Sequence, residues 1–408
     1  MKITKLSLAA VTAVTMTTGA MADVDLKVGG QAVVYYQTVE NGGDSDFFAQ
    51  DSSKANAGLQ LNVDGDLGNG FGLGMQGTSL STWGLEKNAV NNVMQVGGGD
   101  ISSATDHFAV TKAYLTKKVG NTTLKAGRQE LPKSLSPLAF SETWNVFKNT
   151  FDAVVAVNSD IPDTTLVGAY VSRSNKHSDL GAFNDFTAAG GAARPGNGAY
   201  MLTAKNTSLD NVAVTGSYYS IISGTTTSYT NDENKVVDRL APHVDALWLD
   251  VSAKNLGPVG VALQGGQLSP DGLDDTTAYG VKVTGKASNV ALKLAFSSVD
   301  DGTLSVQNVG TGVKTPLYTQ MIANQAHISR DSDTVVLNAA MPLGAGKLIG
   351  QYGLTTDNAS NNSDYNELDV IYKFKALGTD MLAAYVRADH DAANDPANII
   401  RFWTKYNF

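Results

Sequence analysis

The sequence predicts an all-β fold, a transmembrane antiparallel β-barrel of about eighteen strands, and three observations carry this prediction. Apolar and polar side chains alternate with a period of two in many short segments of the 408-residue chain. The connections alternate between short turns and long polar loops, as in a barrel with turns on one side of a membrane and loops on the other. The last segment alternates up to a terminal aromatic residue, Phe408. Sixteen strands are the alternative count.

The period-two segments place the strands in chain order. We expect strands at 24–36, 55–67, 71–79, 108–119, 122–129, 151–158, 164–173, 199–205, 212–222, 244–254, 259–267, 277–286, 290–299, 334–341, 347–354, 365–374, 381–386 and 398–408. An even number of strands brings both ends of the sheet to the same side of the membrane. The longest connections fall near 80–107 and 300–333.

One face of each strand is apolar and the other is polar. Leu59 and Leu61 flank Gln60, and two leucines flank Lys293 in a later strand. Charged groups inside a closed barrel need water around them, and about eighteen strands enclose a lumen too wide for side chains to fill. The alternation therefore predicts a water-filled channel with an apolar outer surface.

Aromatic residues on the apolar faces gather near the strand ends. Tyr36 and Tyr170 lie next to long connections, whereas Phe374 and Tyr406 lie next to short turns or the terminus. Two such levels match the aromatic girdles that mark the two membrane interfaces of a barrel.

The amino terminus indicates export. Lys2 and Lys5 precede an apolar run, and 20–22 offers small residues at the positions that a signal peptidase reads. We therefore assign 1–22 to a signal peptide and 23–408 to the barrel. The chain has no cysteine, and its net charge of −9 makes nucleic acid a poor partner.

Several motif matches do not fit a catalytic or cofactor site. The stretch 72–77 matches G-x-G-x-x-G but lies inside a strand rather than before a helix. The five histidines are scattered without metal-ligand spacing. Loop acids such as Asp44 and Asp46 suit calcium, although solvated loop charge is their commoner role. We expect no enzymatic activity and no cofactor.

One segment resembles a known family. The stretch 124–131, Leu-Lys-Ala-Gly-Arg-Gln-Glu-Leu, followed by Asn-Thr-Phe-Asp at 149–152, resembles the LKxGRQEL … NTF stretch of OprD-type porins, particularly the major porins of epsilon-class proteobacteria. The stretches 164–171 and 316–319 are similar to the same family. The resemblance implies an eighteen-stranded barrel whose third external loop folds inward as a constriction. On this chain that loop is 131–149.

The inward faces and this loop supply the expected pore constriction and lumen residues. They are Lys112, Lys125, Arg128, Glu130, Lys133, Glu142, Lys148, Lys293, Glu367, Asp369 and Arg401.

The sequence departs from the family in its basic residues. Carboxylate-selective members carry an arginine ladder along the lumen, whereas this chain has only seven arginines. Arg128 shares its parity with the outward-facing Leu124, so it needs a bulge or a position above the membrane to reach water. The acidic balance of the chain favours cations only weakly, and the preferred solute stays open.

We expect a porin that allows passive diffusion of ions and small hydrophilic solutes across the outer membrane of a Gram-negative bacterium. The alternatives from other classes are a barrel-anchored surface adhesin and an outer-membrane hydrolase. Small residues on the outward face, such as Ala113 and Ala126, also allow a homotrimer within the outer-membrane lipid.

Overall fold

The computed structural model describes residues 25–42, 45–96, 107–176, 179–185, 198–222, 226–230, 236–240, 243–359 and 363–408. The expected signal peptide, residues 1–22, lies outside these ranges. In the part of the chain that the structure describes, no helix has the length and apolar character needed to cross a membrane.

The regular secondary structure of the described chain consists of strands and two short turns of helix. The strands are β1 (Asp25–Glu40), β2 (Ser53–Gly68), β3 (Phe71–Ser81), β4 (His107–Val119), β5 (Thr122–Gln129), β6 (Phe151–Asn158), β7 (Thr164–Lys176), β8 (Asp179–Asp185), β9 (Gly198–Asn206), β10 (Val212–Ile222), β11 (Thr226–Thr230), β12 (Val236–Leu240), β13 (Val244–Leu256), β14 (Val259–Pro270), β15 (Thr276–Ala287), β16 (Val290–Val299), β17 (Ser332–Leu343), β18 (Gly346–Asp357), β19 (Tyr365–Ala376), β20 (Thr379–His390) and β21 (Ala397–Asn407). Short 3₁₀ turns lie at Leu85–Lys87 and Asn324–Ala326.

Eighteen of these strands close into one antiparallel barrel. Each barrel strand pairs with the next along the chain, and β21 returns to β1, with Gln31 opposite Asn407 and Glu40 opposite Asn398. The predicted fold class and the count of eighteen are confirmed. Strand β8, which extends the sheet from β7, and the hairpin of β11 and β12 were not predicted from the sequence.

The short turns lie at one end of the barrel. Between β2 and β3, Asn69 and Gly70 have φ angles of 53° and 75°, which are the positive values that a two-residue hairpin turn favours. Asparagine and glycine adopt these angles at low cost. All the long connections therefore emerge at the opposite end of the barrel.

The two faces of the wall differ as the alternation predicts. On β16, Leu292 and Leu294 are exposed on the outer surface, while Ala295 is buried on the inner side. Inside the barrel, Gln60 donates to the Thr78 hydroxyl at 2.9 Å, and Thr78 and Thr111 share a hydrogen bond of 2.6 Å. Inward-facing polar groups on adjacent strands therefore form hydrogen bonds with one another along the inner surface of the wall.

Among the long connections, two contribute to the largest buried core inside the barrel. We call them the β5–β6 loop (residues 130–150) and the β16–β17 loop (residues 300–331). Both contribute to one apolar core with the inner faces of β6, β7, β9, β10 and β13 to β16. Its largest members are Leu138, Phe151, Tyr219, Ile221, Trp248, Leu268, Leu317 and Ile328. These loops and this core fill part of the lumen. We call the wall of β1 to β5 and β19 to β21, which contributes no member to this core, the open side.

Candidate channel and its constriction

The β5–β6 loop is attached to the inner wall by its apolar residues. Leu138 has no exposed surface, and its backbone amide donates to the Tyr219 hydroxyl at 3.2 Å. The Ser136 hydroxyl lies 3.3 Å from the same oxygen. The Tyr219 hydroxyl therefore finds partners in the loop, which holds this segment deep inside the barrel.

The β16–β17 loop is attached to two other parts of the wall. Lys293 on β16 donates from Nζ to the Tyr318 carbonyl at 3.2 Å. On β19, Glu367 Oε1 accepts the backbone amides of Ile322 and Ala323, each at 2.9 Å. One buried carboxylate oxygen thus holds two successive backbone amides, which makes Glu367 an anchor for this loop.

The two inward loops are also joined to each other. Asn308 Nδ2 donates to Glu142 Oε1 at 2.9 Å, and the Thr311 hydroxyl donates to the same oxygen. The Lys314 backbone amide adds a longer bond of 3.3 Å. From the other loop, Lys133 Nζ donates to the Thr315 carbonyl at 3.0 Å. The loops therefore form one assembly within the lumen.

Glu142 lies in a different environment from the one predicted. Its side chain was expected to present a charge to the channel, but the residue is only 3% exposed because the β16–β17 loop covers it. Glu367 and Asp369 face inward as the alternation predicts, yet both are fully buried beneath the same loop. The interpretation of these three carboxylates as water-facing lumen groups is wrong.

Arg128 needs a second correction, because it lies on the outer face of the wall. Its Nε is 2.9 Å from Asp152 Oδ1, and Arg173 Nη2 is 2.7 Å from the other oxygen of that carboxylate. The guanidinium of Arg128 stacks on Phe183 of β8 at 3.3 Å. Arg128 is an even number of residues from the exposed Leu124 on the same strand, so its side chain faces outward as well. Strand β8 shields its charge.

A charged triad remains open to the passage. Glu130 contacts Lys112 Nζ at 2.5 Å and Lys148 Nζ at 2.7 Å. Burial alone would raise the pKa of Glu130, but the hydrogen bonds from the two lysines outweigh burial and lower it. Glu130 therefore stays ionised and neutralises only one of its two cationic partners.

More basic side chains extend the lining on both sides of the triad. Lys125 Nζ lies 3.7 Å above the Tyr114 ring, and Arg401 donates from Nε to Gln37 at 3.0 Å. The expected lumen residues did not include Lys54 of β2, Lys373 of β19 or Lys405 of β21, although the period of two places all three on inward faces.

An aromatic pair lies within this basic lining. Trp144 of the β5–β6 loop and Trp403 of β21 meet edge to face, with ring centres 5.4 Å apart. Both rings are only half-buried. They connect the loop to the wall on the open side of the barrel.

This architecture defines a class of protein. A closed eighteen-stranded barrel has an apolar outer surface, a polar lumen and loops that narrow the lumen, and these are the features of an outer-membrane diffusion channel. A sequence profile of the Gram-negative porin family matches residues 8–397. The chain belongs to that family, and it forms an outer-membrane channel for small solutes without enzymatic activity.

Solved structures show the same fold at low sequence identity. OccK8 (OprE) of Pseudomonas aeruginosa is 13% identical, with a TM-score of 0.74 over 94% of this chain and 98% of that one. OpdK of the same organism, solved with vanillate, is 12% identical, with a TM-score of 0.73 and the same coverage. OccAB1 of Acinetobacter baumannii is 13% identical, with a TM-score of 0.71 over 94% and 96%. No curated protein matches the chain.

The comparisons confirm the porin prediction, and neither the adhesin nor the hydrolase is favoured. The finer resemblance to porins of epsilon-class proteobacteria stays a prediction.

Proposed function

We propose that this porin passes small anions in preference to cations, through a passage narrowed by the β5–β6 loop and the β16–β17 loop. The observation that carries the proposal is the basic lining of the open side. Its cationic members are Lys54, Lys112, Lys125, Lys148, Lys373, Arg401 and Lys405.

The carboxylates on this side offset only part of that charge. Glu130 is engaged by two lysines, Asp64 accepts the Tyr114 hydroxyl at 3.1 Å, and Asp380 pairs with a lysine of its own hairpin at 3.3 Å. Glu142 and the pair on β19 are buried behind the β16–β17 loop. A narrow lumen with low-dielectric walls focuses the remaining positive potential on the permeating ion.

The net charge of the whole chain does not oppose this preference. The total is −9, but selectivity depends on charges within about one Debye length of the narrow passage, on the order of 10 Å at moderate salt. The Arg128 and Arg173 guanidinium groups are on the outer wall, so they do not contribute to the lining of the passage.

Two structural neighbours support an anionic solute. OpdK was solved with vanillate and OccK2 (OpdF) with glucuronate, and both ligands are carboxylates. OccK2 is 13% identical to this chain, so the similarity supports the fold directly and the solute class only as part of this proposal. A homotrimer also stays a prediction.

The zero-current potential in a KCl gradient tests the proposal. We expect the wild-type channel to show an anion preference, and Lys405→Glu and Arg401→Glu to move the potential toward that of a cation channel. Lys87→Glu, in the exposed 3₁₀ turn of the β3–β4 connection, is the matched control and should leave it unchanged. A cation preference in the wild type would refute the proposal.

A further inference from the structure

A short part of the β3–β4 connection, which we call the rim segment (residues 90–96), lies between the wall and the β5–β6 loop. On one side Asn56 of β2 holds Met94, since Asn56 Nδ2 donates to the Met94 carbonyl at 2.8 Å and Oδ1 accepts the Met94 amide at 2.5 Å. On the other side the Leu180 amide of β8 donates to the Gln95 carbonyl at 3.1 Å. The rim segment is therefore fixed to the barrel at two points.

Gln95 of the rim segment binds the backbone of the β5–β6 loop at Phe147. Gln95 Nε2 donates to the Phe147 carbonyl at 2.9 Å, and Gln95 Oε1 accepts the Phe147 amide at 2.8 Å. Both residues are only 2% exposed, so these backbone groups need partners inside the protein. Gln95 has a φ of 64°, in the left-handed region that residues other than glycine rarely adopt. Such conformations persist where the surrounding contacts hold them, and they concentrate at functional positions.

Apolar contacts support the same attachment. Phe147 belongs to a buried cluster with Tyr35 of β1, Leu80 of β3 and Val93 of the rim segment. Its ring also lies against the backbone of Gly58 on β2, where a β-carbon would overlap the ring. The Phe147 ring is therefore fixed against the inner wall.

Lys148 follows Phe147 directly and belongs to the charged triad. Its Nζ is 2.7 Å from Glu130 Oε2, and the side chain is exposed whereas that of Phe147 is buried. A lysine carries its charge on a flexible four-carbon stem, so the backbone from which the stem starts decides where the charge can lie. The position of the Lys148 charge thus depends on the hydrogen bonds that Gln95 makes with Phe147.

We propose that Gln95 is a positioning residue for the charge selectivity of the channel. By holding the Phe147 backbone it keeps the Lys148 ammonium group beside Glu130, where this group adds to the positive potential of the passage. Gln95 is buried and does not contact the permeating ion, so it acts through Lys148. The inference rests on the anion preference proposed above and identifies a residue outside the two inward loops that supports it.

Zero-current potentials in a KCl gradient test this role. Gln95→Ala removes both hydrogen bonds to Phe147 and should move the potential toward that of a cation channel, by no more than Lys148→Met does. In a Lys148→Met background, Gln95→Ala should cause no further shift, because the charge that Gln95 positions is gone. Gln50→Ala is the matched control: it removes a side-chain hydrogen bond of 2.8 Å to the same connection, at the Glu86 carbonyl, and should leave the potential unchanged.

Gln95→Glu separates positioning from general packing. A protonated carboxyl group has one donor and one acceptor, as the Phe147 backbone requires, whereas an ionised carboxylate has no donor. Burial keeps a carboxyl group protonated at about pH 5, and about pH 9 ionises it. Compared with the wild type at the same pH, Gln95→Glu should therefore match the wild type at the lower pH and Gln95→Ala at the higher pH.

Three outcomes would overturn the proposal: no shift in Gln95→Ala, an equal shift by Gln95→Ala with and without Lys148, or a Gln95→Glu channel that matches Gln95→Ala at about pH 5. All these comparisons use channels already inserted in the bilayer, so a lower yield of folded barrel does not affect them. The dependence on Lys148 is also measured whatever the sign of the wild-type preference. A cation-selective wild type would instead refute the proposed function.

Discussion

Glu142 Oε1 accepts a hydrogen bond of 2.9 Å from Asn308 Nδ2, although the two residues are 166 positions apart in the chain. The Asn308 side chain also connects to Phe140, since Oδ1 accepts the Phe140 amide at 3.1 Å and Nδ2 donates to the Phe140 carbonyl at 2.8 Å. One buried asparagine thus binds the β16–β17 loop to the β5–β6 loop at three points. The width of the passage depends on this junction as much as on either loop alone.

Breaking the junction should make the width of the passage larger and more variable, and it should not reverse the preference for anions. Glu142→Ala removes the acceptor of Asn308 and Thr311, and buried hydrogen bonds to a charged group each contribute about 1.5–3 kcal/mol. We expect larger current fluctuations and a higher mean conductance, with the anion preference retained. Single-channel recordings check this.

A double-mutant cycle assigns the effect to the contact itself. Asn308→Ala should change conductance in the same direction as Glu142→Ala, and the double variant should add little. Glu130→Gln, at a charge that faces the passage, should instead increase the anion preference with little change in current noise. A simple shift toward anions in Glu142→Ala, without added fluctuation, would contradict the buried position.

The sequence predicted the wall well and the loop junction poorly, for a physical reason. Strands β5, β6, β10 and β16 have the predicted bounds because alternation and turn residues act locally. Glu142 differs because its burial depends on Asn308, a residue far away in the chain. No local pattern marks such a partner. The prediction for Arg128 failed for a different reason. Its position in the alternation already indicated the outer face, but it was included among the lumen residues.

The strand register can be tested at two adjacent residues of β16. Leu294→Arg places a charge in lipid and should cost about 2–4 kcal/mol if the residue lies near the middle of the bilayer. The amount of folded, heat-modifiable barrel should therefore decrease.

Ala295→Arg is the comparison on the inner face. The alternation alone predicts that this arginine points into water, but Ala295 is 1% exposed, and nearby Ser297 bonds to Thr319 of the β16–β17 loop at 2.5 Å. We therefore expect an assembled barrel with a displaced loop and altered conductance. Equal loss of folded barrel in the two variants would reject the register.

Closure of the barrel should depend on the last residues. Gly30 and Phe408 exchange backbone hydrogen bonds of 2.8 and 3.1 Å, and the aromatic rings of Tyr406 and Phe408 stack with centres 6.1 Å apart. Deleting residues 406–408 removes this part of the ladder, and an unpaired edge in lipid is costly. Membrane fractionation should show loss of insertion, and normal amounts in the outer membrane would contradict the closing role.

Anion preference should fall as the pH rises from about 7 to about 9. Burial lowers the pKa of Lys314 to about 8, although Glu142 and Glu367 oppose the shift. Lys133 of the β5–β6 loop is exposed to water, so the prediction rests on Lys314. Deprotonation removes positive charge from the β16–β17 loop, while an ordinary lysine titrates near ~10.4.

The zero-current potential at the two pH values measures this change. Lys314→Arg keeps its charge across the range and should retain more of the anion preference at the higher pH. Lys314→Met should show a weaker preference already at the lower pH and a smaller pH effect. If the zero-current potential of the wild type and both variants changes with pH in the same way, Lys314 does not contribute to the pH dependence.

Single-channel conductance after removal of the inward loop segments tests the central claim most directly, namely that the β5–β6 and β16–β17 loops together set the narrowest part of the channel. Replacing residues 134–141 or residues 308–326 with a short Gly-Ser linker should raise conductance in each case, because the narrowest segment dominates the resistance. Removing residues 226–240, whose strands β11 and β12 pair with each other rather than with the barrel, is the control and should change conductance little. If both inward-loop variants conduct like the wild type and like the control, these loops are not the constriction.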